Sequence, residues 1–203
     1  MPPGPAIPID LGRRRIGLLG GSFNPAHAGH RHISLLALHR LGLDEVWWLV
    51  SSQNPLKPRT DMAPLAERLA EARRVANHPR IRVSDIERRL GTRYTIDTIE
   101  RLRARFPAAA LVWIMGADNL IEFARWRRWT DIFRAAPIAI FDRPTYSYKA
   151  LASKAAQRLA RFRVAREKAH LLAGMTPPAW VFLRGRLHPE SGTELRRRRR
   201  MRV

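Results

Sequence analysis

Six short apolar runs set the frame of this chain: IGLL at 16–19, VWWLVS at 46–51, IRV at 81–83, LVWIM at 111–115, IAIF at 138–141 and WVFL at 180–183. Such runs leave little polar face for water, which is the pattern of strands buried on both sides in a parallel sheet. Parallel strands need long crossovers, and the intervening segments have the spacing of helices. Leu65, Leu69, Ala72 and Ala76 follow Pro64 at steps of four, three and four, the stripe of an amphipathic helix. Ile99, Leu102 and Phe106 repeat the pattern after a cap at Thr95, and Trp126, Trp129 and Phe133 repeat it again. Residues 150–172 read as a basic, moderately apolar helix packed on the rim. The predicted class is α/β: a Rossmann-like open parallel sheet of about six strands with helices on both faces.

With 203 residues, 45% of them apolar, the chain can bury one substantial core. We read a flexible proline-rich arm at 1–14, one catalytic domain at 15–196 and an arginine-rich tail at 197–203. The amino end has four prolines among its first eight residues and lacks the apolar stretch of a signal peptide. The longest nearly apolar run, 108–117, is about half the roughly 20 residues a spanning helix needs, so a soluble chain with no membrane partner is expected. The absence of cysteine excludes a disulfide framework, a thiolate metal site and a cysteine nucleophile, and it suits a reducing cytoplasm. A formal charge of +21 attracts polyanions without choosing among nucleotides, RNA and acidic membranes.

Open parallel sheets bind ligands beyond the carboxyl ends of their strands, so the chemistry is sought just after each apolar run. The first run leads into GGSFNPAHAGH, residues 20–30, and then into a helical pattern. A glycine pair before a helix amino terminus lets backbone N–H groups face phosphate oxygens, with the helix dipole in support. The segment is neither a P-loop, which ends in GK[ST], nor a GxGxxG fingerprint. It adds two histidines three residues apart, His27 and His30, able to point at one anion. No side chain is set up as an activated nucleophile, and transfer to an anionic phosphate acceptor requires none. Alignment and charge neutralisation suffice.

The joint pattern GGSFxPxHxGH resembles the signature of the nucleotidyltransferase superfamily, with Asn24 where many members have Asp. Its HxGH element is here His27, Ala28, Gly29 and His30. Four further segments follow in the order found in the bacterial nicotinate-nucleotide adenylyltransferases. WWLVSSQNPLK, 47–57, resembles the segment ending in PxK. GTRYTIDT, 91–98, resembles SYTxDT with Arg93 for the common serine. GADNL, 116–120, with Trp126 downstream, resembles GADxL and its tryptophan. SGTELR, 191–196, resembles the closing SSTxIR, with Gly192 for a serine and Glu190 for an apolar residue.

The resemblance implies transfer of the adenylyl group of ATP to nicotinate mononucleotide, with magnesium arriving on the ATP phosphates and no metal held by the protein itself. It assigns catalysis to His27, His30, Lys57 and Arg196. ATP would meet Gly20, Gly21, Ser22, Phe23, Gly29, Asp118, Ser191 and Thr193. Nicotinate mononucleotide would meet Asn24, Tyr94, Thr95 and Trp126, the last offering a flat face to the pyridine ring, while Trp129 is assigned to core packing. Nicotinamide mononucleotide and pantetheine phosphate stay open as acceptors, because the first motif fixes the reaction better than the substrate. A rival of another class is a basic nucleic-acid-binding module without catalysis, though no recognisable RNA module supports it and no specific nucleic acid is expected. A homo-oligomer is left open.

Overall fold

In the computed structural model, which describes residues 12–52, 62–142 and 146–184, all six apolar runs form strands. They are β1 (Arg15–Gly21), β2 (Glu45–Val50), β3 (Ile81–Ser84), β4 (Ala110–Gly116), β5 (Ile138–Phe141) and β7 (Trp180–Leu183). A seventh strand, β6 (Arg163–Val164), adds an edge to the expected six, and the order across the sheet is β3-β2-β1-β4-β5-β7-β6. Every adjacent pair is parallel.

Alternate residues of each strand feed two separate cores. Ile16, Leu18, Trp47, Trp113, Ile140 and Phe182 face one cluster, whereas Leu19, Trp48, Val112, Ile114, Phe141 and Val181 face the other. The first cluster is covered by α4 (Thr95–Arg105), α5 (Ala117–Glu122) and α6 (Trp129–Ala135) through Ile96, Ile99, Leu102, Leu120, Ile132 and Phe133. The second lies under α1 (Ala28–Arg40) and α2 (Leu65–Ala76) through Ala37, Leu38, Leu69, Ala72 and Ala76. The α2 stripe is therefore the one that the spacing predicts.

Three local expectations change. Thr95 is the first residue of α4 and Tyr94 takes the cap position, with no side-chain cap bond. Trp126 is not on a helix with Trp129: it ends a 3₁₀ turn at Phe123–Arg125, and Arg128 breaks the path with φ 50 in the left-handed region. The stretch 150–172 is not one helix but α7 (Ser147–Leu151), α8 (Lys154–Arg158), β6 and the 3₁₀ segments Ala160–Phe162 and Arg166–Gly174. The reason is burial. Ala155, Ala156 and Leu159 belong to the first core, but Ala169, Leu172 and Ala173 belong to the second. One straight helix cannot bury residues on both faces of a sheet, so the chain crosses the sheet edge between them, and β6 is that crossing. Ser153 restarts the helix by accepting a bond from the Ala156 N–H at 3.3 Å.

At the amino edge, buried Glu45 accepts from Trp47 Nε1 at 2.9 Å, from Arg14 at 2.9 Å and from Arg82 at 2.6 and 2.8 Å. Burial pushes its pKa up, but the bonds from Arg82 and Trp47 and the charges of Arg82 and Arg14 outweigh that and hold it below the ordinary carboxylate value. This ties β2 to β3 at the end of the sheet away from the strand carboxyl ends.

One contact between strands sets a strict size limit. A Cβ on Gly20 would lie 2.4 Å from Cη2 of the Trp113 ring, which is itself 2% exposed. Gly20→Ala should therefore displace a buried indole and cost on the order of 1–3 kcal/mol, read as a lower midpoint in urea denaturation. An unchanged midpoint would mean that the ring shifts freely.

Candidate active site

The sheet order reverses between β1 and β4, since β1 pairs with β2 on one side and β4 on the other. The helices that follow them leave on opposite faces, α1 packing in the second core and α5 in the first. A crevice at the carboxyl ends of β1 and β4 is the outcome of that topology. Gly20 and Gly21 close β1, and Gly116 closes β4 with Asp118 two residues on, in the first turn of α5.

Beyond Gly21 the chain turns sharply, with Phe23 at φ 47. Its ring is buried and stacks on Trp48 at 5.0 Å, with the His30 ring 4.6 Å away on a tilt. Any part Phe23 takes in binding phosphate thus falls to its backbone. His27 occupies the cap position of α1 and His30 the third helical position, their ring centroids 3.8 Å apart. The His27 N–H donates to His30 Nδ1 at 3.3 Å. A ring nitrogen that accepts must keep its lone pair, so the neutral His30 ring carries its proton on Nε2. The His30 carbonyl accepts from Ser34 Oγ at 2.8 Å, and Ser34 Oγ accepts from Trp48 Nε1 at 2.8 Å. The first turn of α1 holds no acidic residue, so the positive end of a 13-residue helix is not offset by its own side chains. Buried Gly29 sits in that turn. Asn24 Oδ1 accepts from the Ala63 N–H at 3.3 Å, fastening the turn to the approach of α2.

The other expected wall is built on the first face. Because α4 leads into the start of β4, its amino terminus, with Tyr94 and Thr95, lies at the carboxyl side of the sheet. The guanidinium carbons of Arg127 and Arg93 lie 4.6 and 5.8 Å from the centre of the Tyr94 ring. Trp126 is half-buried, 4.8 Å from the Phe123 ring and edge-on to Trp113 at 6.4 Å. Trp113, a strand residue outside the motifs, thereby touches both the glycine end of β1 and the indole at the expected pyridine position. Lys57, Ser191, Thr193 and Arg196 lie outside the described residues.

Beneath the Tyr94 turn is a carboxyl that the motifs did not point to. Glu87, in α3 (Ile86–Leu90), is 7% exposed, and its backbone carbonyl accepts from the Thr92 N–H at 2.9 Å. Its side chain bonds to Thr98, whose hydroxyl also lies 2.9 Å from Thr92 Oγ1 and 3.2 Å from the Tyr94 carbonyl. Burial pushes Glu87 up to about 7, the Thr98 bond pulling the other way. Among the described residues, no three His, Asp or Glu side chains gather as a metal site, and no helix is long and apolar enough to cross a membrane.

The chain matches the Cytidylyltransferase-like family over residues 18–198. It is 54% identical over 184 residues to a probable nicotinate-nucleotide adenylyltransferase of Caulobacter sp. (strain K31), covering 91% of this chain and 97% of the relative. It is 56% identical over 182 residues to a protein of the same description from Bradyrhizobium sp. (strain ORS 278), covering 90% and 95%. Among solved structures it is similar in fold to Plasmodium falciparum nicotinic acid mononucleotide adenylyltransferase complexed with NaAD. That likeness has a TM-score of 0.69 at 14% identity and covers 91% of this chain and 83% of the other.

The raised Glu87 pKa has a definite sign in stability. As pH rises through 4.5, the unfolded chain ionises this carboxyl while the folded chain does not until about 7, so stability is lost across that window. At 1.4 kcal/mol per pH unit the loss is on the order of 3 kcal/mol. Glu87→Gln should remove it. Urea denaturation at pH 4.5 and pH 8 should show the variant gaining on the wild type at the higher pH, and a pH-independent difference would refute the perturbation.

Proposed function

The chain belongs to the cytidylyltransferase-like family, and from that premise we infer that it is a nicotinate-nucleotide adenylyltransferase. It transfers the adenylyl group of ATP to nicotinate mononucleotide, giving nicotinate adenine dinucleotide and pyrophosphate. The observation that carries the reaction type is the His27–His30 pair, rings 3.8 Å apart, at the head of a helix that follows a glycine-ended strand at the sheet's reversal point. Sequence identity above 50% over nine-tenths of the chain supports the acceptor.

The acceptor phosphate attacks the α-phosphorus of ATP in line; the new P–O bond forms as the bond to the β-phosphate oxygen breaks, and pyrophosphate leaves with that electron pair. No protein nucleophile takes part. Backbone N–H groups from Gly21 to Phe23 and the amino terminus of α1 receive phosphate oxygens, and His30 donates through Nε2 to charge that develops in the transition state. His27 stands beside it at the same phosphates, and Gly29 lets them approach the helix backbone. Asp118 takes the ribose hydroxyls. Trp126 stacks the pyridine ring, and the N–H groups at Tyr94 and Thr95 receive its carboxylate, with Arg127 and Arg93 supplying positive charge around the same ring. Asn24 orients the loop between the substrates. Lys57, Ser191, Thr193 and Arg196 are assigned to the phosphates from their motifs.

The family generally uses a divalent metal. We assign that role to magnesium, which would arrive with ATP and offset charge on its phosphates, the chain's own donors at the described part of the crevice being imidazoles and amides rather than clustered carboxylates. The reading puts the enzyme in the cytoplasm, a reducing compartment that suits a chain without cysteine. Residues 15–196 form the catalytic unit, with the arm and tail outside it. The excess of positive charge draws anionic substrates toward the crevice.

His30→Ala should fold as the wild type and lose at least about 10²-fold in kcat, since a preorganised donor to transition-state charge is worth roughly that much. Wild-type turnover in the variant would remove His30 from the mechanism. A pyrophosphate-release assay with ATP and nicotinate mononucleotide, nicotinamide mononucleotide or pantetheine phosphate should show highest kcat/KM with the first. Preference for another acceptor would overturn the assignment while leaving nucleotidyl transfer in place.

A further inference from the structure

Arg68 is a buried cation with no carboxylate beside it among the described residues. It lies in α2, is 2% exposed, and forms no ion pair among the described residues. Its guanidinium donates instead to four backbone carbonyls: Nε to Ala63 at 2.9 Å, one terminal nitrogen to Ser22 at 2.6 Å and Ser51 at 2.7 Å, and the other to Ser52 at 3.2 Å. These carbonyls come from the turn after β1, the segment after β2 and the approach to α2. Burial alone acts on its pKa, pulling it below the ordinary arginine value.

Stapling loops does not call for a charge, because neutral amide donors reach carbonyls too. Burying an unpaired cation is costly unless something supplies the opposite charge. The geometry indicates where that charge comes from. In a trans peptide the C=O and the next N–H point in opposite directions. With the Ser22 and Ser51 carbonyls drawn onto Arg68, the N–H groups of Phe23 and Ser52 point away from it. The Phe23 N–H belongs to the turn between the glycine end of β1 and the histidine pair.

We propose that Arg68 is a positioning residue of the nucleotide site, orienting the Ser22–Phe23 and Ser51–Ser52 peptides so that their N–H groups face a substrate phosphate, which supplies its missing counter-charge. Arg68 does not touch the reacting atoms. Its positive charge polarises peptides whose donor ends meet the anion, so substrate binding completes an ion pair through two peptide groups. The proposal rests on the nucleotidyl-transfer reading of the crevice but not on the identity of the acceptor.

The test uses the full chain with Arg68→Gln and Arg68→Lys. Binding of a non-hydrolysable ATP analogue with magnesium is measured by calorimetry without acceptor, and turnover is measured separately with nicotinate mononucleotide. Arg68→Gln should weaken analogue binding by about tenfold or more, as expected for loss of a charge-assisted contact. Arg68→Lys, which keeps the charge but not the fork, should fall between it and the wild type. KM for the mononucleotide should change less than about twofold. Three results overturn the proposal: analogue binding in Arg68→Gln within twofold of wild type, equal losses in the Gln and Lys variants, or failure of both to fold. If Arg68→Gln alone fails to fold, Arg68→Lys decides by the same binding measurement, intermediate weakening supporting the proposal and wild-type affinity overturning it. A wild type that binds the analogue yet rejects nicotinate mononucleotide would defeat the acceptor assignment and leave this inference standing.

Discussion

The parallel pairing of β1 with both β2 and β4 is the constraint from which the rest follows. A strand with neighbours whose crossovers leave on opposite faces opens a gap above its carboxyl end that no helix covers. Among the described residues, the glycine pair, the histidine pair, Asp118 and the turn at Tyr94 lie at the rim of that gap or just behind it. The register also matters. Gly20 pairs with Leu49 in β2, while Leu18 faces Trp113 in β4, so the strand thins to glycine where the large indole of β4 leans across.

The site holds several arrangements that a protein selected for stability alone would avoid. Phe23 sits at positive φ, Arg68 is charged without an ion-pair partner among the described residues, and Glu87 is a buried carboxyl. Strained or desolvated groups of this kind cost on the order of 1–3 kcal/mol each. The compensation is in the sheet. Trp47, Trp48, Trp113 and Trp180 are all fully or almost fully buried, two on β2 and one each on β4 and β7, and aromatic side chains of that size dominate core energetics. Trp48 serves both ends, since it fills the second core and holds His30 through Ser34.

The six long strands were legible because burial on both faces leaves short runs with almost no polar residue. The seventh was not, because β6 has two residues and exposed Arg163 is one of them. Trp126, Trp129 and Phe133 kept helical spacing across a break that only the backbone of Arg128 reveals. The histidines were legible as a pair, but the tautomer of His30 was not, since it depends on a backbone N–H from the preceding turn. Arg68 did leave a trace: it falls on the buried stripe of α2, three residues after Leu65 and four before Ala72, where a charge is out of place. Glu87 left none, because its burial depends on how α3 and α4 close around the turn between them.

The contact between Gly20 and Trp113 also bears on how such an enzyme changes. The glycine end of β1 and the expected pyridine wall share one surface, with Trp113 against Gly20 on one side and edge-on to Trp126 on the other. Residues in contact combine non-additively when substituted. A substitution at Trp113 is therefore felt both at the glycine end of β1 and at Trp126, so under the proposed reading the phosphate and pyridine subsites would change together rather than as independent modules.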